Sequence, residues 1–232
     1  MPTDNIAISI VVPAFNELAT IQTLISKVQD AVRAFDFEII IVDDGSTDGT
    51  VETIRQFGDE RVRLLHHTSN QGKGAALRTA FRHATGQIVV IQDADLEYDP
   101  RDIPNLVQPI LDGHADVVFG SRFRGAARVH LYWHRVANSW LTWFSNLLNN
   151  LDLSDMETGY KAFRKSVLDQ ICIRENRFGV EPELTAKAAK LKCRIYEVPI
   201  AYHGRDYAQG KKIGFLDAVR AAWCIIRYRI AD

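Results

Sequence analysis

Short runs of branched apolar residues, each ending abruptly in a polar cluster, recur along the first half of this chain and restrict the folds open to it. The clearest is Ile88–Ile91, which stops at Gln92-Asp93-Ala94-Asp95-Leu96-Glu97. A run this short, apolar on both sides and rich in Val and Ile, reads as a strand buried on both faces, the kind found in parallel sheets. Carboxylates buried within such a sheet would cost several kcal/mol, so Asp93 and Asp95 are expected just past the strand end. Ligands of open α/β sheets bind in that position.

The same unit repeats. Residues 6–12 form an apolar run ending in Pro13-Ala14-Phe15-Asn16-Glu17, followed by a helical stripe of Leu18, Ile21, Ile25, Val28, Val32 and Phe35. Residues 38–42 lead into Asp43-Asp44-Gly45-Ser46-Thr47-Asp48-Gly49-Thr50, then a short helix through Val51, Ile54 and Phe57, and a strand at 62–65. Asn70-Gln71-Gly72-Lys73-Gly74 opens a helix with Leu77, Ala80, Phe81 and Ala84 inward. Residues 102–111 are helical, and 115–119 form a strand ending in Gly120-Ser121-Arg122. Strict alternation of this kind predicts an α/β fold with a mostly parallel sheet and helices on both faces.

After residue 125 the pattern changes. Val136, Trp140, Phe144, Leu147, Leu148 and Leu151 mark a long aromatic helix, and a short helix is expected at 167–171. Another begins at Glu181-Pro182-Glu183, a strand covers 194–200, and a last helix has Phe215, Leu216, Val219, Trp223 and Ile226 on one side. No linker or repeat divides the 232 residues, so one domain is expected over 1–232.

Composition narrows the function classes. Lys and Arg number 28 against 29 Asp and Glu, which argues against broad nucleic-acid binding. The three cysteines (Cys172, Cys193, Cys224) lack metal-ligand spacing and read as reduced thiols of a cytosolic protein. His66, His67, His83 and His134 likewise read as structural or exposed. No stretch is long and apolar enough for a membrane span, and residues 1–5 lack the basic start of a signal peptide.

The polar clusters carry the chemistry. Asp93 and Asp95 can share a hard divalent cation such as Mg²⁺ or Mn²⁺, with Glu97 as a third ligand. In isolation an Asp-x-Asp is more often a solvated turn; here the buried strand and the matching clusters on neighbouring strands favour a site. Asp43 and Asp44 can accept hydrogen bonds from a base or ribose, whereas Asp48 and Thr50 read as capping residues. Lys73 and the backbone N–H groups around it can face a phosphate at a helix N-terminus. Arg135 and Ser139 share a helix face and, with Arg122, can hold an anion; a surface arginine is the competing reading. Arg205, Lys211 and Lys212 form a basic loop between Gly204, Gly210 and Gly214 that can close over a pyrophosphate or stand as a plain exposed loop.

Taken together, VVPAFNE (11–17), VDDGSTDGT (42–50), NQGKGAALRTAF (70–81), QDADLEYDP (92–100), GSRF (120–123), Arg135-x₃-Ser139, METGYKAFR (156–164), FGVEPELTAKAAK (178–190) and EVPIAYHGRDYAQGKKIG (197–214) resemble family 2 glycosyltransferases of the GT-A fold, in the dolichol-phosphate mannose synthase-like branch. The resemblance implies a Rossmann-like nucleotide-sugar and metal half over 1–125 and an acceptor half over 126–232. It implies a nucleotide sugar held by Pro13, Ala14, Phe15, Glu17, Asp43, Asp44, Lys73, Asp93, Ala94, Asp95, Arg205 and Lys211. It further implies a metal at Asp93, Asp95 and Glu97, and an acceptor phosphate at Arg122, Arg135 and Ser139.

The expected reaction is inverting transfer of a hexose from a GDP-mannose or UDP-glucose type donor to a polyprenyl or dolichyl phosphate, with Asp93, Asp95, Arg122 and Arg135 as the catalytic set. A phosphate acceptor is already an anion; a sugar-hydroxyl acceptor would need a base, with Asp155 or Glu157 the candidate. Two departures stand out: many relatives have Gln where Glu97 stands, and many carry C-terminal membrane spans. The expected setting is peripheral, at the cytoplasmic face of a membrane, through the helix at 131–151 or the last helix with Arg220, Arg227 and Arg229. A separate anchoring subunit or a homo-oligomer is a further expected partner. Alternatives are a glycosyltransferase acting on a hydroxyl of an envelope glycan, a non-catalytic nucleotide-sugar module, and a phospho-acceptor signalling module, which would leave the second half unexplained.

Overall fold

The computed structural model describes residues 7–125, 132–204 and 215–231. The expected alternation forms its framework: β1 (Ala7–Ala14), α1 (Ile21–Val32), β2 (Asp36–Asp43), α2 (Thr50–Gln56), β3 (Val62–His66), α3 (Lys73–His83), β4 (Ile88–Ile91), a 3-10 turn (Pro100–Asp102) running into α4 (Ile103–Leu111), and β5 (Val117–Ser121). The second half adds α5 (Tyr132–Asn149), β6 (Lys161–Arg164), α6 (Lys165–Leu168), α7 (Val180–Lys190), β7 (Ile195–Pro199) and α8 (Phe215–Ile230).

One sheet holds all seven strands in the order β3-β2-β1-β4-β6-β5-β7. β1 runs parallel to β2 and β4, β2 to β3, and β5 to β7, while β6 lies antiparallel between β4 and β5. β4 and β5 therefore point the same way, and the loops after Ala14, Asp43, Ile91 and Ser121 open on one edge. Side chains alternate across the sheet. Ile8, Ile10 and Val12 face a core built with α1, α2 and α4, whereas Val11, Val42 and Ile91 face one built with α3, α5, α7 and α8. Both faces are covered, which is why these strands read as unbroken apolar runs.

Two features differ from the sequence expectation. β6 was not expected, because its four residues are Lys-Ala-Phe-Arg; Lys161 is fully buried there and ion-paired to Glu181. Leu18 is exposed in a turn ahead of α1 instead of lying on its inner stripe. On α8 the side marked from sequence is the outer one: Val219 and Trp223 face solvent, and Ala221, Cys224, Ile225 and Tyr228 pack inward. Small residues on that side let α8 come close to α7, and the Tyr228 hydroxyl reaches Glu175 at 2.9 Å. Of the stripe expected on α5, Phe144 and Leu148 are partly buried while Val136, Trp140 and Leu147 are exposed. The three cysteines are free thiols.

Candidate active site

The loops after β1 and β2 are laced together by their own polar groups. Asn16 N–H donates to Ser46 Oγ at 2.8 Å, Thr47 N–H to Asn16 Oδ1 at 2.9 Å, and Glu17 N–H to Thr50 Oγ1 at 3.0 Å. Asp48 accepts from Leu18 N–H and from the N–H and hydroxyl of Thr50, the turn-holding role its position suggested. Pro13, Ala14, Phe15 and Glu17 thus lie on a fixed rim beside Asp43.

Asp43 and Asp44, although adjacent, do different work. Asp44 is saturated: it accepts from Gln71 N–H, from Gly72 N–H at 2.7 Å and from His67 Nδ1 at 2.7 Å, tying the β2 end to the start of α3. Asp43 uses Oδ2 for Gly45 N–H, Ser46 N–H and His66 Nδ1, while its buried Oδ1 has no hydrogen-bond partner. A buried acceptor left unsatisfied costs about 1–3 kcal/mol, which a ligand N–H or O–H would recover.

The glycines at the head of α3 serve packing. Gly72 has φ of 100°, and a Cβ there would stand 2.3 Å from the Asn176 carbonyl oxygen; one on Gly74 would stand 2.2 Å from that of Glu175. Gly72 N–H is taken by Asp44 and Ala75 N–H by the Asn176 carbonyl, so these two groups at the helix start are engaged within the chain. Lys73 remains. Its ammonium lies 2.7 Å from Asp93 Oδ1, 3.0 Å from Asp93 Oδ2 and 3.1 Å from Glu181 Oε1. Burial opposes the charge, but Asp93 and Glu181 outweigh it and hold the lysine pKa well above its ordinary value. Glu181, in the first turn of α7, also pairs with Lys161. Burial would raise the Glu181 pKa, yet Lys161 and Lys73 keep it low. Nearby, burial first and the Glu181 carboxylate second push Glu157 up to about 7.

The turn after β4 is held open by strain and by distant partners. Leu96 has φ of 61°, a costly backbone for a non-glycine residue of the kind that clusters at functional sites. Glu97 N–H donates to Asp95 Oδ1 at 3.1 Å. The Glu97 carboxylate accepts from the Tyr202 hydroxyl at 2.6 Å, and its carbonyl from His203 N–H. Among the described residues no three acidic, imidazole or thiol groups converge into a ready metal cage. Asp93 faces Lys73, and Glu97 faces Tyr202.

Tyr202 links this turn to the end of β5. The Arg122 guanidinium lies over its ring at 5.2 Å and forks onto buried Asp155 through Nε and Nη2, both at 2.7 Å. Asn138 on α5 also meets Asp155, at 3.2 Å. Arg122 and Arg135 both stand over the ring of Phe123, at 5.7 and 5.0 Å. The structure therefore brings the two arginines together, Arg135 exposed and Arg122 anchored; Ser139 is exposed one turn further along α5. Because Asp155 is filled by Arg122 and Asn138, it is not free to act as a base. Arg205, Lys211 and Lys212 lie outside the described residues. Tyr202, Lys161 and Glu181 were not singled out from sequence, since each matters only through residues distant along the chain.

Carboxylates, arginines and a lysine gather at the carboxyl edge of this mostly parallel sheet. Glucosyl-3-phosphoglycerate synthase from Mycobacterium tuberculosis, solved with Mn²⁺, UDP and glucosyl-3-phosphoglycerate, shares this fold with a TM-score of 0.75 over 97% of this chain and 80% of that one, at 23% identity. The family model for glycosyl transferase family 2 matches residues 9–172, and the chain belongs to that family. It is a glycosyltransferase. An undecaprenyl-phosphate mannosyltransferase of Micrococcus luteus is 31% identical over 214 residues, 88% of this chain and 86% of that protein. A dolichol-phosphate mannosyltransferase of Pyrococcus furiosus is 27% identical over 89% of this chain, which spans 59% of that protein's length. A dodecaprenyl-phosphate galacturonate synthase of Rhizobium johnstonii is 27% identical over 90% of this chain and 63% of its own length.

Proposed function

We propose that this enzyme transfers a hexose, with inversion, from a nucleoside diphosphate sugar of the GDP-mannose or UDP-glucose type to a polyprenyl phosphate. The single observation that carries the reading is the pair of arginines over Phe123, on the flank of an aromatic helix. Two guanidinium groups at one ring suit a phosphate anion, with Arg122 fixed by Asp155 and Arg135 able to close on it. An acceptor phosphate so held needs no general base, and alignment at the anomeric carbon would supply much of the rate. In this reading residues 1–125 serve the donor and 126–232 the acceptor.

On the donor side Asp43 Oδ1 would take an N–H or O–H of the nucleoside, and Lys73 would face the diphosphate. The chemistry of the turn fits a hard divalent ion: the acids there offer only oxygen ligands, and an ammonium already sits across both oxygens of Asp93. Asp93 and Asp95 would hold Mg²⁺ or Mn²⁺, with Glu97 joining only if it leaves Tyr202. When bound, the metal would offset charge on the departing diphosphate. The neighbour solved with Mn²⁺ supports a metal in this fold.

The lipid setting is supported by where the apolar surface lies. All four tryptophans of the chain are exposed: Trp133 (76%), Trp140 (52%) and Trp143 (58%) on α5, and Trp223 (60%) on α8. Trp133, Val136, Trp140, Trp143 and Leu147 recur at steps of three and four along one face of α5, a helix without an acidic residue. Val219, Trp223, Ile226 and Ile230 do the same on α8. Tryptophan favours the boundary between lipid and water. No described helix is long and apolar enough to cross a membrane. The reading therefore gives the enzyme a peripheral place at a cytoplasmic membrane face, with α5 and α8 against the lipid. Arg229 is the basic contribution of α8, since Arg220 and Arg227 both pair with Glu175.

The test is direct. Purified protein is mixed with labelled nucleotide sugars, Mg²⁺ or Mn²⁺, and vesicles carrying polyprenyl phosphate. Label extracted into organic solvent as a mild-acid-labile product supports the reading; label only in water-soluble products defeats it. One observation favours a second reading, a hydroxyl acceptor. Glu157, brought to about 7 and with a buried Oε1 lacking a partner, has the pKa of a general base. Transfer to soluble sugars that is lost in Glu157→Gln would select it.

A further inference from the structure

The ion pair between Lys73 and Asp93 bears on how the proposed metal would enter. Lys73 spans both oxygens of Asp93, so the lysine occupies the lone pairs that a divalent cation would use. A second acid stands within reach of the same ammonium. Glu181 Oε1, a buried oxygen, ion-pairs with Lys73 Nζ at 3.1 Å. The ammonium thus already stands between the two acids, nearer to Asp93.

Glu181 is also fixed. Its other oxygen is held by Lys161, and Lys161 is anchored in turn by the carbonyls of Met156 and Thr158. Pro182 follows it in the first turn of α7. The ammonium, by contrast, ends a four-carbon chain at the first residue of α3. Gly159 walls the other side: a Cβ there would lie 2.5 Å from Asp93 Oδ2 and 2.8 Å from Lys73 Nζ. A lysine leaving Asp93 therefore has a short, paired path to Glu181 and a closed one toward Gly159.

We infer that Lys73 is a built-in counter-cation that must leave Asp93 before a divalent metal binds there, and that Glu181 is the acid that receives it. Without a metal the lysine keeps a partly buried carboxylate paired, which avoids the cost of an isolated charge. With a metal, two cations would share one carboxylate at close range, and their repulsion drives the ammonium onto Glu181 Oε1. Glu181 is then a positioning residue for the metal site without touching the metal. This rests on the reading that Asp93 is a metal ligand.

The test reads Mn²⁺ binding by the loss of the free-ion electron paramagnetic resonance signal, with no nucleotide or acceptor present. Lys73→Met is expected to tighten Mn²⁺ binding by roughly tenfold, because it removes the competing charge. Lys73→Arg, which keeps the charge, should stay near wild type. Glu181→Gln should weaken Mn²⁺ binding by about three- to tenfold, and that loss should vanish in the Lys73→Met background, a coupling that mere structural damage would not produce. Circular dichroism identifies any variant that fails to fold, and the remaining variants then decide. Mn²⁺ binding to wild type that is unchanged or weaker in folded Lys73→Met, or unchanged in folded Glu181→Gln, overturns the inference while sparing the metal reading. No saturable Mn²⁺ binding to any folded form overturns both.

Discussion

The carboxyl edge of β1, β2 and β4 and the flank formed by α5 are built in opposite ways. At the edge nearly every polar group is already engaged by the chain. Asp44 is saturated by backbone N–H groups and His67, and Lys73 is shared between Asp93 and Glu181. On the flank Arg135, Ser139 and three tryptophans face solvent. A small, soluble donor is best met by a preorganised pocket, since fixed dipoles need no rearrangement as charge develops. A lipid phosphate must slide in from a surface, which calls for an open anion site beside an apolar face. Arg122 joins the two, with Asp155 behind it and Tyr202 leading to Glu97.

Mutations should break this contrast in order of burial. Asp155→Ala leaves the Arg122 guanidinium buried without its partner, and the unfolding free energy should fall by about 3–5 kcal/mol, read from urea denaturation. Arg135→Ala in the same assay should stay within about 0.5 kcal/mol, as a surface change should. Next in size is Asp43→Asn. It replaces an acceptor pair already holding Ser46 N–H and His66, and donor affinity measured by calorimetry should drop by roughly tenfold or more, with acceptor affinity unchanged.

Glu157 gives a pH signature. Between an ordinary glutamate's 4.5 and about 7 the folded chain keeps a proton that the unfolded chain has released, so stability falls as pH rises through that window. Glu157→Gln lacks this loss. Its Tm relative to wild type should rise between pH 5 and pH 8 by several degrees, on the order of 2–4 °C for each kcal/mol in a chain this size. A flat difference across that range would mean that Glu157 titrates normally. The smallest stability effect belongs to Trp140→Ser with Trp143→Ser: melting within a degree or two of wild type, but binding to anionic vesicles weakened by about tenfold or more in a sedimentation assay.

What the sequence made legible follows from locality. Strands β1, β2, β4 and β5 declared themselves because both faces are buried, and Asp43, Asp93 and Arg122 because each ends such a run. β6 stayed hidden because half of it is charged, Lys161 meeting Glu181 and Arg164 reaching the carbonyls of Ile110 and Ala115. Periodicity found the apolar stripe of α8 but not its direction. A solvent-facing apolar stripe and one against a core look alike in sequence, and the inner side is built of Ala221, Cys224 and Tyr228 around Glu175. At the site, Tyr202 and Glu97 are 105 residues apart, and nothing local marks them as partners. The Gly72-Lys73-Gly74 motif has a packing role that is hidden for a related reason: its glycines make room for the carbonyls of Glu175 and Asn176, a distant segment.

The division between a prearranged donor edge and an open acceptor flank is tested most directly by steady-state kinetics of Arg135→Ala with both substrates varied. The account predicts that KM for polyprenyl phosphate in vesicles rises by about 10- to 100-fold, the loss of one charge-assisted contact, while KM for the nucleotide sugar stays within about twofold. A rise in donor KM with the acceptor unmoved would contradict it.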